Sequence, residues 1–263
     1  MKISRAFALY FSPTGTTKHI SSIIAGGLPL PVEKIDLTPA SFDYNPGSFG
    51  GNDLVIFSVP VYGGRVPAVA IERIKEFSGN RTPALITVVY GNRDYDDALL
   101  ELSDVVAAQG FIPVSGGAFI AEHSIFHEVA AGRPDAADIS AINDFTAKAW
   151  QKLAGVDSVA GLCLEVKGKR PYMVYNGVPF KPSAGSGCVK CGRCADNCPV
   201  GAIPAKAPNQ TDEKRCISCM RCIKLCPQKA RKLPDMVYNE LAPLFAKKCA
   251  MRREAETFLG EVQ

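Results

Sequence analysis

Short apolar segments alternate with amphipathic ones over the first part of the chain. Two of the apolar segments, 54–57 and 85–89, are almost continuously apolar and rich in β-branched residues. Such runs are typical of strands buried on both faces of a parallel sheet. The pattern predicts strands over 5–11, 32–37, 53–59, 84–90 and 112–119, with helices over 17–25, 67–77, 96–109 and 138–153.

This alternation of strands and helices extends only to about residue 155. Five strands with intervening helices predict a doubly wound α/β domain over 1–155. The next segment, 156–179, is rich in proline and glycine, and we interpret it as a connector with one short strand over 162–166. A small cysteine-rich domain over 180–235 follows, and then an amphipathic C-terminal helix within 236–263.

The composition is that of an ordinary globular protein. Of the 263 residues, 47% are apolar and 21% are charged, which suits one large domain and one small one. No apolar run approaches the roughly 20 residues that span a bilayer, and the N-terminus shows no signal-peptide pattern. We therefore expect a cytoplasmic protein without a membrane span.

Eight of the ten cysteines lie between residues 188 and 226. Clustered cysteines in a chain without an export signal indicate metal ligands rather than disulfides. They form two identical C-x2-C-x2-C-x3-C-P runs that are offset by 28 positions, which predicts two related half-domains. The runs are Cys188, Cys191, Cys194 and Cys198, and then Cys216, Cys219, Cys222 and Cys226.

The spacing within each run is typical of a 4Fe-4S cluster. Three cysteines on a tight loop bind one cluster, and the fourth, before the proline, binds the cluster of the other run. The first cluster is therefore expected on Cys188, Cys191, Cys194 and Cys226, and the second on Cys216, Cys219, Cys222 and Cys198. Two structural zinc sites are the alternative, because paired C-x2-C motifs also bind zinc.

Charge is distributed unevenly along the chain. Residues 1–179 contain 15 Lys/Arg and 18 Asp/Glu, a net charge of −3, whereas residues 180–235 contain 11 and 4, a net charge of +7. Two oxidised clusters with their thiolates contribute about −4. The basic residues are thus expected to offset the clusters and to favour docking against the acidic first domain, and we expect no nucleic-acid partner.

A Ser/Thr-rich loop follows the first predicted strand and leads directly into a helix. Free backbone N–H groups at a helix N-terminus, together with hydroxyl side chains, form a cradle for a monophosphate. A simple helix cap is the alternative interpretation. The candidate binding residues in this loop are Ser12, Thr14, Gly15, Thr16 and Thr17.

The loops after the third and fourth strands are expected at the same crevice, since ligands of such sheets lie beyond the carboxyl ends of the strands. Tyr62 and Tyr95 are predicted to flank a flavin ring, and backbone groups near the glycines to meet its polar edge. Surface aromatics and ordinary turns are the alternative. The candidate residues are Pro60, Val61, Tyr62, Gly63 and Gly64, and then Tyr90, Gly91, Asn92, Asp94 and Tyr95.

These motifs together carry a family resemblance. Residues 1–155 resemble flavodoxins, residues 180–235 resemble bacterial two-cluster ferredoxins, and the whole chain resembles the fused flavodoxin–ferredoxin proteins known as the EFR1 family. The resemblance implies a five-stranded parallel sheet of order 2-1-3-4-5, a small α+β ferredoxin domain, FMN and two 4Fe-4S clusters. It implies no defined substrate.

The function predicted from these features is electron transfer between the flavin and the clusters, with redox proteins as partners. The alternative is a flavin-dependent reductase of a quinone or nitro compound that receives electrons through the clusters. The sequence shows no Ser-His-Asp or Cys-His constellation. His123 and His127 are interpreted as structural, and Cys163 and Cys249 as buried apolar side chains.

Overall fold

The N-terminal part of the protein forms the predicted alternation of strands and helices. The computed structural model describes residues 1–41 and 48–262. The strands are β1 (Arg5–Tyr10), β2 (Val32–Asp36), β3 (Asp53–Pro60), β4 (Thr82–Tyr90) and β5 (Phe111–Ile120). The helices are α1 (Thr16–Gly26), α2 (Ala68–Ile74), α3 (Ala98–Ala108) and α4 (Ala136–Ala154).

These five strands form a parallel sheet in the order β2-β1-β3-β4-β5. This is the flavodoxin-like order, in which the chain reverses direction across the sheet between β1 and β3. Both faces are covered by helices, so β3 is buried almost throughout: Val55 and Phe57 pack in one layer, and Leu54 and Ile56 pack in the other. The predicted fold class is confirmed.

Short elements dominate the segment between α4 and the C-terminal region. They are β6 (Leu162–Cys163), β7 (Ser183–Ala184), α5 (Arg193–Asp196), α6 (Arg221–Lys224) and β8 (Arg231–Lys232). The strand predicted over 162–166 is therefore only two residues long. Strands β7 and β8 pair with each other, and α5 and α6 begin at equivalent positions of the two cysteine runs, 28 residues apart.

The C-terminal region differs from the prediction of one helix within 236–263. A π-helical turn over Val237–Leu241 leads into α7 (Ala242–Lys248), and the chain then forms β9 (Glu256–Leu259) and β10 (Glu261–Val262). Strand β9 adds an antiparallel sixth strand to the edge of β5, and β10 pairs with β6. The edge of β5 offers unpaired backbone groups that the tail satisfies, a long-range contact that helical periodicity does not reveal.

The tail is attached to the sheet by buried polar contacts. The Asn92 side chain donates to the carbonyl oxygens of Cys249 (2.7 Å) and Met251 (3.0 Å), and it accepts from the Arg253 N–H (3.0 Å). No helix among the described residues is both long and apolar enough to cross a bilayer.

Candidate functional site

The loop between β1 and α1 is shaped by Gly15 and Ser12. Gly15 has a left-handed φ of +91° immediately before α1, a conformation that suits glycine. Ser12 is buried: its N–H donates to the Thr38 hydroxyl (2.8 Å), and its own hydroxyl accepts from the Lys18 N–H (2.9 Å). Ser12 therefore holds the shape of the loop, while Thr14, Thr16 and Thr17 face a cavity.

This cavity, of about 260 Å³, lies at the carboxyl ends of β1, β3, β4 and β5. We call it the sheet-edge cavity. The three loops that the sequence singled out all contribute to its wall, as the topology of such a sheet requires. The predicted residues that line it are Thr14, Thr16, Thr17, Pro60, Val61, Tyr62, Gly63, Gly64, Tyr90, Gly91 and Asp94.

Four predicted residues do not line the cavity: Ser12, Gly15, Asn92 and Tyr95. Tyr95, which was predicted to flank the ligand, has its side chain fully buried in the core instead of facing the cavity. Its hydroxyl donates to the Glu256 carboxylate (2.7 Å) on β9, and its ring lies 5.5 Å from that of Tyr90. Asn92 is likewise occupied by the C-terminal tail. Both side chains contact the C-terminal tail, Asn92 just before β9 and Tyr95 on β9 itself, and the sequence pattern did not predict this arrangement of the tail.

The loop after β5, which the sequence pattern did not single out, contributes residues 122–126 to the cavity wall. Because β5 lies beside β4, the rule that singled out the loops after β3 and β4 also applied here. His123 forms part of this wall: its Nδ1 accepts from the Phe126 N–H (3.0 Å) and its ring stacks on the Phe126 ring. Burial lowers the pKa of His123 to about 4, so the imidazole is neutral at pH 7.

The remaining wall comes from the connector and the C-terminal half. Its residues are Tyr175, Val178, Phe180, Ile217, Ser218 and Phe245. Tyr175 packs directly on Gly63, where a Cβ atom would overlap the tyrosine ring. Short-range sequence patterns cannot identify such contacts, since the contacting residues are more than a hundred positions apart.

The eight clustered cysteines surround two small cavities. Cys188, Cys191, Cys194 and Cys226 line the first cavity, and Cys198, Cys216, Cys219 and Cys222 line the second. Each cavity therefore combines three cysteines of one run with the fourth cysteine of the other, which is the crossed arrangement predicted from the spacing. We call these cavities the first and second cysteine sites.

The repeat is visible in the backbone as well as in the sequence. Left-handed φ angles recur at positions 28 residues apart, for example +55° at Lys190 and +53° at Ser218, or +81° at Gly192 and +62° at Met220. Such turns fold each run into a tight loop around its cavity. The N–H group four residues after each fourth cysteine points at the sulfur, from Ala202 to Cys198 Sγ (3.2 Å) and from Ala230 to Cys226 Sγ (3.3 Å).

Four cysteines line each of the two cavities, which is the number of thiolate ligands that a 4Fe-4S cluster takes. Burial raises the pKa of Cys219 to about 12 and that of Cys222 to about 11. A bound metal is thus needed to hold these sulfurs as thiolates.

The second cysteine site adjoins the sheet-edge cavity. Ile217 lies in the walls of both. Tyr62 lies at the same boundary: burial, followed by the nearby Cys219, raises the pKa of its hydroxyl well above the usual value. The first cysteine site lies farther out, since Cys191 and Val189 are exposed.

Basic side chains connect the two halves of the molecule. Arg73 of α2 donates to the Pro199 carbonyl (2.6 Å), and Arg221 and Lys224 of α6 donate to the carbonyl oxygens of Pro13 and Thr14. These cations therefore contact backbone carbonyls rather than carboxylates of the acidic first domain. They bring the positive charge of α6 to the Ser/Thr-rich loop.

Comparison with known proteins gives a family match for the cysteine-rich segment and structural matches for the sheet. Residues 187–230 match the model of the 4Fe-4S dicluster domain. No curated protein matches the chain in sequence.

The solved structures that are similar to this chain include three flavodoxins. One, from Streptococcus pneumoniae TIGR4, is 18% identical with a TM-score of 0.40 and covers 57% of this chain and 99% of its own. One from the domain Archaea is 11% identical with a TM-score of 0.39, and flavodoxin 2 from Bacillus cereus is 12% identical with a TM-score of 0.38. Each of these two matches covers 57% of this chain and 99% of the other. The chain thus joins a sheet of flavodoxin-like order to a segment that matches a 4Fe-4S dicluster domain.

Proposed function

We propose that this flavodoxin–ferredoxin fusion transfers electrons between FMN, bound in the sheet-edge cavity, and two 4Fe-4S clusters held at the cysteine sites. The observation that carries the proposal is the wall shared by the sheet-edge cavity and the second cysteine site at Ile217. A flavin exchanges two electrons in one-electron steps and a cluster carries one at a time, so their combination couples two-electron to one-electron chemistry.

The Ser/Thr-rich loop supplies what a flavin phosphate needs. Thr14, Thr16 and Thr17 face the cavity beside the N-terminus of α1, where backbone N–H groups favour an anion. Lys224 adds a cation from the C-terminal half. Tyr62 and Tyr175 also line the cavity, and their rings suit the flat apolar ring system of a flavin.

The order of the three sites supports electron transfer from the protein surface through the clusters to the flavin. The second cysteine site is enclosed, since Cys198 and Cys219 are buried, and it adjoins the sheet-edge cavity. The first cysteine site presents the exposed Cys191 and Val189, which is 63% exposed. We infer that protein redox partners dock at the first site and that the second site links it to the flavin.

The cavity wall is poor in groups that exchange protons near pH 7. The pKa of Tyr62 is raised and that of His123 is lowered, so both are neutral. The Asp94 carboxylate accepts from the Tyr95 N–H (2.7 Å) and from Lys167 (3.1 Å), and its pKa is lowered. These side chains shape the site and do not offer acid–base catalysis, which favours an electron carrier.

One observation supports the alternative of a flavin-dependent reductase. A second cavity, also of about 260 Å³, adjoins the sheet-edge cavity and shares Thr14, Thr16 and residues 122–124 with it. Its wall also contains Lys224, His127 and Tyr238. This space would admit a small electron acceptor such as a quinone or nitro compound.

A reductive titration of anaerobically purified protein tests the proposal. Visible absorbance and EPR should show uptake of about four electrons, two by FMN and one by each cluster. Cys219→Ala should reduce iron and sulfide content, whereas Cys163→Ala, which changes a cysteine outside both sites, should not. Zinc without sulfide in the untagged wild-type protein would exclude the clusters. Rapid multiple turnover with a quinone would favour the reductase.

A further inference from the structure

Arg231 is the largest fully buried side chain among the described residues, with 2% of its surface exposed. Its two terminal nitrogens donate to four acceptors, which are the carbonyl oxygens of Pro182 (3.4 Å), Pro208 (2.6 Å) and Gln210 (2.8 Å) and the Thr211 hydroxyl (2.8 Å). All four acceptors are uncharged. Within the part of the chain that the structure describes, Arg231 forms no ion pair with a carboxylate.

A buried arginine without a counter-ion is costly. Transfer of an unpaired charge from water to the protein interior is strongly unfavourable, and buried cations are therefore almost always paired. The third nitrogen of the guanidinium, Nε, is also buried and has no hydrogen-bond acceptor. Unsatisfied buried donors of this kind are rare in native proteins and call for an explanation. Both features indicate a negatively charged acceptor beside Arg231.

The surroundings of Arg231 identify where that acceptor belongs. Its side chain lines the first cysteine site together with Cys188, Cys191, Cys194 and Cys226. Arg231 therefore lies next to the first site, and it does not line the second.

We propose that Arg231 is the internal counter-ion of the iron–sulfur centre and that its Nε–H donates a hydrogen bond to a sulfur of the group bound at the first cysteine site. This inference rests on the proposed function, because it requires a cluster there. The oxidised centre with four thiolates carries a net charge of about −2, and reduction adds a further negative charge. A fixed buried cation and a donor to sulfur stabilise the reduced form more than the oxidised one.

Arg231 thus raises the reduction potential of the first site and makes it the better electron acceptor from an outside partner. The other basic residues around this site, such as Lys190 and Arg193, are exposed. Their charges are screened by water and salt, so they contribute much less. A single buried arginine is expected to dominate the electrostatics of the first site.

The test compares midpoint potentials of both clusters in Arg231→Lys, Arg231→Gln and Lys232→Gln, measured by EPR-monitored titration of anaerobically purified full-length protein. Lys232→Gln is a matched control, because it removes the same charge at the adjacent residue, whose side chain is exposed and paired with Asp235. Arg231→Gln should shift the first cluster to a clearly more negative potential, and the second cluster less. Arg231→Lys should shift the first cluster in the same direction by a smaller amount, since it keeps the charge and loses the Nε donor. Lys232→Gln should leave both potentials unchanged.

Wild-type potentials in Arg231→Gln with full iron and sulfide content would overturn the inference, as would equal shifts in both clusters. If Arg231→Gln does not fold or does not bind iron, the Arg231→Lys variant tests the inference. An unchanged potential of the first cluster in that variant would contradict the proposed hydrogen bond from Nε. Absence of sulfide from the wild-type protein would refute the proposed function itself, and iron and sulfide analysis distinguishes that outcome from a failure of the Arg231 inference.

Discussion

The ammonium group of Lys224 donates a hydrogen bond to the carbonyl oxygen of Thr14. Lys224 belongs to α6, between the cysteines of the second run, and Thr14 belongs to the proposed phosphate loop, more than two hundred residues earlier. The same ammonium would lie 3.9 Å from a Cβ atom at Gly15. The cysteine-rich segment therefore supplies positive charge to a flavin site that lies mainly in the other half of the molecule.

Lys224→Gln should weaken FMN binding. Removal of one exposed cation beside a phosphate should weaken the binding free energy of FMN by about 1 kcal/mol, which is about fivefold in Kd. This difference in affinity should be smaller at high salt, where the charge is screened. Fluorescence titration of the flavin-free protein at two salt concentrations measures this effect. Lys206→Gln, an exposed lysine of the same segment, is the control and should bind FMN as the wild type does. Equal Kd values for the two variants would remove Lys224 from the site.

Gly63→Ala should destabilise the protein and disturb the cavity. Gly63 has a left-handed φ of +58°, and a Cβ atom there would overlap the Tyr175 ring. We expect a loss of about 2–4 kcal/mol in the free energy of unfolding, from backbone strain and overpacking together. Urea denaturation measures the loss.

Gly161→Ala separates the two causes. Gly161 also has a positive φ, of +85°, but nothing lies within 4 Å of the position of its missing Cβ. The free energy of unfolding of this variant should fall only by the cost of the backbone strain, about 1 kcal/mol. Because Tyr175→Ala removes the ring that the new Cβ atom of Gly63→Ala would overlap, the double variant should lose less stability than the two single variants together. An equal loss of stability in the two glycine variants would show that Tyr175 does not pack on Gly63 in solution.

Sequence patterns predicted the parts of the site that are local in the chain. The residues of the Ser/Thr-rich loop, and those of each cysteine run, are close together in the sequence, so their spacing alone indicates the site. The crossed pairing of Cys198 and Cys226 follows from that spacing. The side-chain contacts of Asn92 and Tyr95 could not be predicted in this way, because their partners lie more than 150 residues away, in the C-terminal tail. Strand β9 is only four residues long, and its hydrophobic pattern does not distinguish it from an extension of the preceding helix.

Acidification should destabilise the protein through His123. Burial lowers the pKa of this imidazole to about 4 in the folded state, against about 6.5 in the unfolded chain. The unfolded state thus binds more protons, and stability falls as the pH drops from about 6.5 to about 4, by about 3 kcal/mol in total. Urea denaturation at a series of pH values should show a smaller decrease in His123→Gln. His127→Gln, which changes an exposed histidine of the same loop, should retain the wild-type profile, and an identical profile for all three proteins would contradict this assignment.

Asn92→Ala should lower stability and leave FMN binding nearly intact. The Asn92 side chain donates to the carbonyl oxygens of Cys249 and Met251 and accepts from the Arg253 N–H. Its removal leaves buried backbone groups without partners, which costs about 2–3 kcal/mol. Because these contacts hold the tail that forms β9, hydrogen exchange should accelerate in 249–259 before it does in β3. Asp94→Asn is the informative comparison, since Asp94 lines the cavity whereas Asn92 does not. A larger loss of FMN affinity in Asn92→Ala than in Asp94→Asn would return Asn92 to the flavin site, as the sequence had predicted.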